Sequence, residues 1–279
     1  LTARAPAFSH PADSGHHLSM GFRFDDDTAV NHHSEGRFGT EISGAWNIDL
    51  NPNGGYLAAV LVVAMQRVAQ HVDPLTLTVH FLRPATSGTS AEISTELIRA
   101  GRRVSTVRAT LVQEGARRLE AIGAFGQLGE MPSPTLTLPP PILPPPEECQ
   151  PRSPKEQGVT LHLEDHIQTL IPEDVSNGRA EITGWIRFRD GRAPDLLALA
   201  LFADAFPPSI FRLLGRVGWV PTIELTVQFR ARPEPGWVCG RFVTDDVTDG
   251  RMIETGALWD NAGTLVARSR QLALLIPTD

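Results

Sequence analysis

Asp204 is the side chain in this sequence best suited to proton transfer, and it stands where helix physics disfavours it. The run 196–203 is apolar on every face, so as a helix it must be enclosed by protein. Pro194 and Asp195 suit the start of that helix, while Pro207 and Pro208 prevent its continuation. Asp204 then falls in the last turn, where a carboxylate opposes the negative dipole end at a cost of about 0.3–1 kcal/mol, plus any desolvation. Two readings stay open: an Asp that turns outward to cap the next turn, or a proton acceptor kept inside for its chemistry.

Other reactive residues are less well arranged. His16-His17 and His32-His33 read as solvated loop histidines, because sequence neighbours point apart on a strand and no other ligand type joins them. His162 and His166 have metal-compatible helical spacing but no third convergent ligand. A Gly-x-Ser-x-Gly elbow is absent, so a serine esterase is not expected. Cys149 and Cys239 form no metal or redox pair, which fits a reducing cytoplasm without a disulfide framework.

The chain has 279 residues, 41% hydrophobic, enough for a core in one large or two ordinary domains. Its net charge of −7, with dispersed Lys and Arg, argues against nucleic acid or an anionic membrane as partner. With no leader pattern and no apolar run near ~20 residues, the expectation is a soluble cytoplasmic protein.

The elements that must position Asp204 occur twice. Residues 1–18 read as a loose arm and 19–25 as a strand with Met20, Phe22 and Phe24 on one face. A turn over 46–55 leads into a second helix starting near Tyr56, apolar all round to Met65 and continuing through the more polar Gln66, Arg67 and Gln70. Strand-like runs follow at 75–82, 91–99, 104–113 and 117–125, with turns short enough to require antiparallel pairing. Residues 131–158 carry ten prolines and read as an extended strap unable to pair into a sheet. Beyond it come a strand at 179–189, the Asp204 helix, and strands at 222–230, 238–245, 251–259 and 264–275. Leu77-Thr78-Val79-His80-Phe81 aligns with Leu225-Thr226-Val227-Gln228-Phe229 at an offset of 225 − 77 = 148, which supports duplication. Setting Gly55 against Asp195 places Ala64 opposite Asp204, so one half alone holds the acid.

A helix apolar all round needs cover all round, and each half supplies only a long antiparallel sheet, which must curl about its helix. Setting the two halves side by side gives an α+β tandem hotdog: an N-terminal domain at 1–130, the strap at 131–158 and a C-terminal domain at 159–279.

The sequence resembles the acyl-CoA thioesterase II (TesB-like) double-hotdog family. The likeness rests on Gly54-Gly55, Phe81-Leu82-Arg83-Pro84 and the segment 99–106 in the first half, and on Ala203-Asp204, Pro221-Thr222-Ile223 and the segment 259–271 in the second. It implies hydrolysis of fatty acyl-CoA to free acid and CoA, with water held by Asp204, Thr222 and Gln271. Thioester hydrolysis needs an activated water and a stabilised carbonyl oxygen, and neither a metal nor another cofactor is required. Backbone N–H groups around Gly54, Gly55 and Tyr56, at a positive helix end, are candidates for the oxyanion, although Gly54-Gly55 also reads as a plain tight turn. Arg102, Arg103 and Arg108 are candidates for the CoA phosphates, against the plain reading of a solvated strand end. The implied partner is acyl-CoA, and assembly into a dimer or tetramer of double hotdogs is compatible with this architecture.

Where the family usually has Asp-His after Thr-Ile, this chain has Glu224-Leu225. Asp49-Leu50-Asn51-Pro52 echoes a hydratase motif whose next residue is His, here Asn53. A non-catalytic acyl-CoA or lipid-binding module is the second alternative.

Overall fold

The computed structural model describes residues 21–129, 136–152, 159–173, 178–215 and 220–276. The arm at 1–18, with His16-His17, lies outside the described residues. In chain order the elements are α1 (Arg23–Thr28), β1 (Asn31–Ser34), β2 (Arg37–Glu41), β3 (Asn47–Ile48), β4 (Asn51–Pro52), α2 (Gly54–Gln66), β5 (Asp73–Phe81), β6 (Ser90–Ala100), β7 (Ser105–Gln113) and β8 (Ala116–Gly126). The second half continues with β9 (Gln150–Pro151), β10 (Ile167–Ile171), β11 (Glu181–Phe188), α3 (Leu196–Phe202), α4 (Phe211–Leu214), β12 (Thr222–Phe229), β13 (Val238–Thr248), β14 (Arg251–Trp259) and β15 (Leu265–Leu274).

The halves do not form two separate sheets. Among the described residues, thirteen strands join in one antiparallel sheet, ordered β1-β2-β6-β7-β8-β5-β12-β15-β14-β13-β11-β10-β9, with β5 and β12 as its seam. Thr78 stands opposite Thr226, Leu77 opposite Val227 and Val79 opposite Leu225, so the residue pairs matched by the duplication flank a local two-fold axis. The Thr78 and Thr226 hydroxyls meet at 2.8 Å on that axis. Pairing the two strands across the seam removes one sheet edge from each half.

The all-apolar character of α2 follows from what covers it: β5 to β8 on one side and α3 on the other. Its residues from Gly55 to Val62 are buried throughout. Gly55 is where the two helices come closest, because a Cβ there would stand 2.6 Å from Ala200 O and 2.8 Å from Leu201 O. The glycine is therefore required by helix contact, while its backbone is that of an ordinary first helical turn. α2 ends at Gln66, capped by Arg67, and does not continue through Gln70.

Several expectations need correction. Residues 23–28 are helical, not extended: Asp25 and Asp26 sit in the first turn of α1, Phe24 is buried and Phe22 is exposed. Asp27 Oδ2 anchors this helix by accepting from Trp46 Nε1 at 2.8 Å. His32 and His33 are exposed residues of β1 rather than of a loop. The Pro-rich strap does contribute a strand, since Gln150 and Pro151 pair with β10 at the outer edge, where a proline is tolerated. Upstream of it, Leu138 O accepts from Trp259 Nε1 and Pro144 O from Trp185 Nε1, each at 2.9 Å, which ties the strap to the second half. Both cysteines are buried free thiols.

Gly55→Ala should cost about 1–3 kcal/mol of stability, because the new methyl group meets backbone carbonyls that cannot swing away. Denaturant unfolding with an unshifted midpoint would show that the helices are not so closely apposed.

Candidate active site

Asp204 lies just beyond the last turn of α3, one residue after its cap Ala203, with its N–H donating to Leu201 O at 3.1 Å. Its carboxylate turns inward, to the first turn of the other half's helix. Oδ2 accepts from Gly55 N–H at 2.9 Å and from Asn53 Nδ2 at 3.0 Å, and the same Nδ2 donates to Asp204 O at 2.8 Å. The compensation for an acid at the wrong end of one helix is thus the positive end of another. Even so, burial dominates and pushes the Asp204 pKa up to about 7; the charge of Glu254 adds to the rise, against the bonds from Gly55, Gly54 and Asn53.

Asn53 earns its place twice. As the N-cap of α2 it accepts from Tyr56 N–H at 2.9 Å, while its amide holds Asp204. An Asn immediately before Gly-Gly and an apolar run is a cap signal, so this role had a trace in the sequence. The expected oxyanion donors are consequently committed elsewhere: Gly55 N–H to Asp204 and Tyr56 N–H to Asn53. Tyr56 is an anchor, with its hydroxyl donating to Asp27 O at 2.9 Å and accepting from Ser43 N–H at 3.0 Å.

Thr222 opens β12 and Gln271 lies on β15, where Thr222 Oγ1 donates to Gln271 Oε1 at 3.0 Å. Gln271 Nε2 in turn donates to Glu254 Oε1 at 2.9 Å. Asp204, Thr222, Gln271, Gly54 and Glu254 all line one cavity of about 330 Å³, walled by Leu57, Phe81, Phe206, Phe211 and Phe242. Glu254 was not foreseen. Its trace was a charged residue in phase with the inward-facing Met252 of β14.

The candidate CoA-binding arginines do not reach this cavity. Arg102 and Arg103 lie in the β6–β7 turn, beside Ser105, which pairs with Phe125 near the end of β8. The cavity residue Phe81 pairs with Leu119, six residues earlier, so about 20 Å of strand separates the two ends. Arg108 is exposed and pairs with Glu96. Among the described residues, the basic side chains that do line the cavity are Arg83, exposed, and Arg152, buried and donating to Ala205 O at 2.6 Å. Asp49 of the hydratase-like motif takes a left-handed φ of 53° and accepts from Thr160 N–H at 2.6 Å, which makes it a turn residue.

Residues 42–126 match the family model described as the acyl-CoA thioesterase N-terminal domain, and residues 146–275 match that of the acyl-CoA thioesterase C-terminal domain. A solved structure described as a candidate thioesterase II from Thermobifida fusca is 35% identical, with a TM-score of 0.83 over 91% of this chain and 98% of that one. A hot dog fold protein of unknown function from Alicyclobacillus acidocaldarius is 25% identical, with a TM-score of 0.81 over 92% and 98%. An uncharacterized protein of Mycobacterium tuberculosis is 27% identical over 270 residues, 85% of this chain and 90% of its own length.

Because the Asp204 pKa is raised in the folded protein, its charge opposes folding once the pH exceeds the ordinary carboxylate range, and the penalty is complete above about 7. Between pH 5 and pH 8 the stability of Asp204→Asn relative to wild type should therefore improve by about 1–3 kcal/mol. Unfolding curves whose separation is the same at both pH values would refute the raised pKa.

Proposed function

The chain belongs to the acyl-CoA thioesterase family and is a thioester hydrolase; from that premise we propose that it cleaves fatty acyl-CoA to free acid and CoA using a water held by Asp204, Thr222 and Gln271. The observation that carries this reading is the convergence of those three side chains, from separate elements, on one cavity with aromatic and aliphatic walls. The walls suit an acyl chain, and the polar end suits the thioester.

In this mechanism Asp204 accepts a proton as the water attacks the carbonyl carbon. A tetrahedral intermediate forms, then collapses with loss of the CoA thiolate. A carboxyl group whose pKa is near 7 is well matched to both steps: about half of it is ionised at neutral pH, and once protonated it can return the proton to a thiolate of pKa ~8.5. Thr222 and Gln271 fix the water, which contributes through positioning. Arg83 is the cation assigned to the phosphates of CoA, because it both lines the cavity and is exposed to solvent.

Steady-state release of CoA across an acyl-CoA panel tests the reading. Asp204→Asn should lose at least about a hundredfold in kcat with folding intact, as expected for removal of a base. The wild-type profile should fall below pH 7, since the protonated acid cannot accept a proton. Undiminished turnover by the variant would remove Asp204 from the reaction, and saturable binding without turnover in wild type would favour a binding module.

Arg83→Ala should raise KM by about tenfold with kcat little changed, whereas Arg102→Ala should leave both near wild type. The opposite pattern would return the CoA site to the β6–β7 turn.

A further inference from the structure

A second acid shares the cavity, and the reaction as set out above gives it no role. Glu254 on β14 is 4% exposed and belongs to the cavity wall. Both its oxygens are engaged: Oε1 accepts from Gln271 Nε2 at 2.9 Å, and Oε2 from Ser209 N–H at 2.7 Å. Ser209 is itself held by its hydroxyl, which meets Thr244 Oγ1 at 2.8 Å.

We infer that Glu254 is a positioning residue for hydrolysis, one that sets the polarity of the hydrogen-bond chain reaching the water through Gln271 and Thr222. The inference rests on the reading in which Asp204, Thr222 and Gln271 hold that water.

The reasoning is donor and acceptor arithmetic. Each oxygen of Glu254 receives an N–H, one of them the Ser209 backbone amide that can only donate, so the carboxyl group acts as an acceptor and the Gln271 atom facing it is the NH2 group. The amide oxygen is then turned to Thr222 and takes its hydroxyl proton across the 3.0 Å that separates Thr222 Oγ1 from Gln271 Oε1. Thr222 is left with lone pairs alone to offer the water. The water must donate one proton to Thr222 and the other to Asp204, and its own lone pair is free to attack. If Gln271 flipped, its NH2 would donate to Thr222, whose proton would then turn to one of the water's two lone pairs, drawing density from the attacking oxygen and removing the acceptor that orients its proton. An apolar residue at position 254 would leave the amide without a fixed sense.

Glu254→Gln is nearly isosteric and introduces the flip. With its oxygen kept on Ser209 N–H, the new NH2 confronts Gln271, which relieves the clash by turning its oxygen inward. The expected result is a loss of about 30-fold in kcat with KM within about threefold, and a melting temperature no lower than wild type. Among the described residues, the charged side chains lining the cavity with Asp204 are Arg83, Arg152 and Glu254. Loss of the like charge should also move the acid limb of the pH profile to lower pH. In a Gln271→Ala background the same substitution should change kcat by less than about twofold, because the amide it orients is gone. Glu254→Asp, which keeps an acceptor-only group, should retain more activity than Glu254→Gln and serves if the latter does not fold.

Wild-type kcat and an unmoved acid limb in Glu254→Gln would overturn the inference, and so would an equal loss with and without Gln271. Either result alongside an inactive Asp204→Asn would leave the water-holding reading standing, whereas an active Asp204→Asn would remove that reading itself.

Discussion

The contact between the Asp204 carboxylate and the first turn of α2 is the constraint on which the site depends. An acid past the end of α3 is poorly placed with respect to its own helix, and only a positive helix end from the other half offsets the burial. For that end to arrive, α2 and α3 must cross closely. Gly55 permits this, because any side chain there would occupy the space of α3 carbonyls. The offset is incomplete, since burial still holds the Asp204 pKa near 7. A carboxyl group balanced in this way suits the proton transfer proposed for it at neutral pH.

The seam explains how two halves come to build one site. The antiparallel pairing of β5 with β12 places the duplicated segments about a local two-fold axis and brings the helices into contact beneath it. The halves contribute unequally. The second supplies the acid with Thr222 and Gln271; the first supplies the donor end, Asn53 and part of the apolar wall. Ala64, aligned with Asp204 by the repeat, is buried in α2, so a second acid of that kind is not built.

Hydrogen-bond commitment, rather than proximity alone, divides the surrounding residues. Tyr56 and Gly55 are close to the chemistry, yet their N–H groups are taken by Asn53 and Asp204. Arg152 lines the cavity while it donates to Ala205 O and faces Glu164 at 3.6 Å, a tie behind the turn that carries Asp204. Such allocations require coordinates, because each depends on which donor meets which acceptor across the fold.

The two all-apolar helices, the main antiparallel strands, the duplication and the anomaly of Asp204 could be read from the residues, because periodicity and dipole sign are local properties carried by neighbouring positions. The resemblance of 203–204, 221–223 and 259–271 to a known family added Thr222 and Gln271. What lay beyond reach was long-range. The helical state of residues 23–28 depends on burial of Phe24 and the bond from Trp46; the pairing of Gln150 and Pro151 depends on β10; and the remoteness of Arg102 from the cavity depends on the direction of β8. Asn53 and Glu254 were visible only as a cap and an inward acid, and tertiary structure made them partners of Asp204 and Gln271. Local sequence determines which segments must be buried; the folded chain alone decides which donor, 151 positions away, meets a buried acceptor.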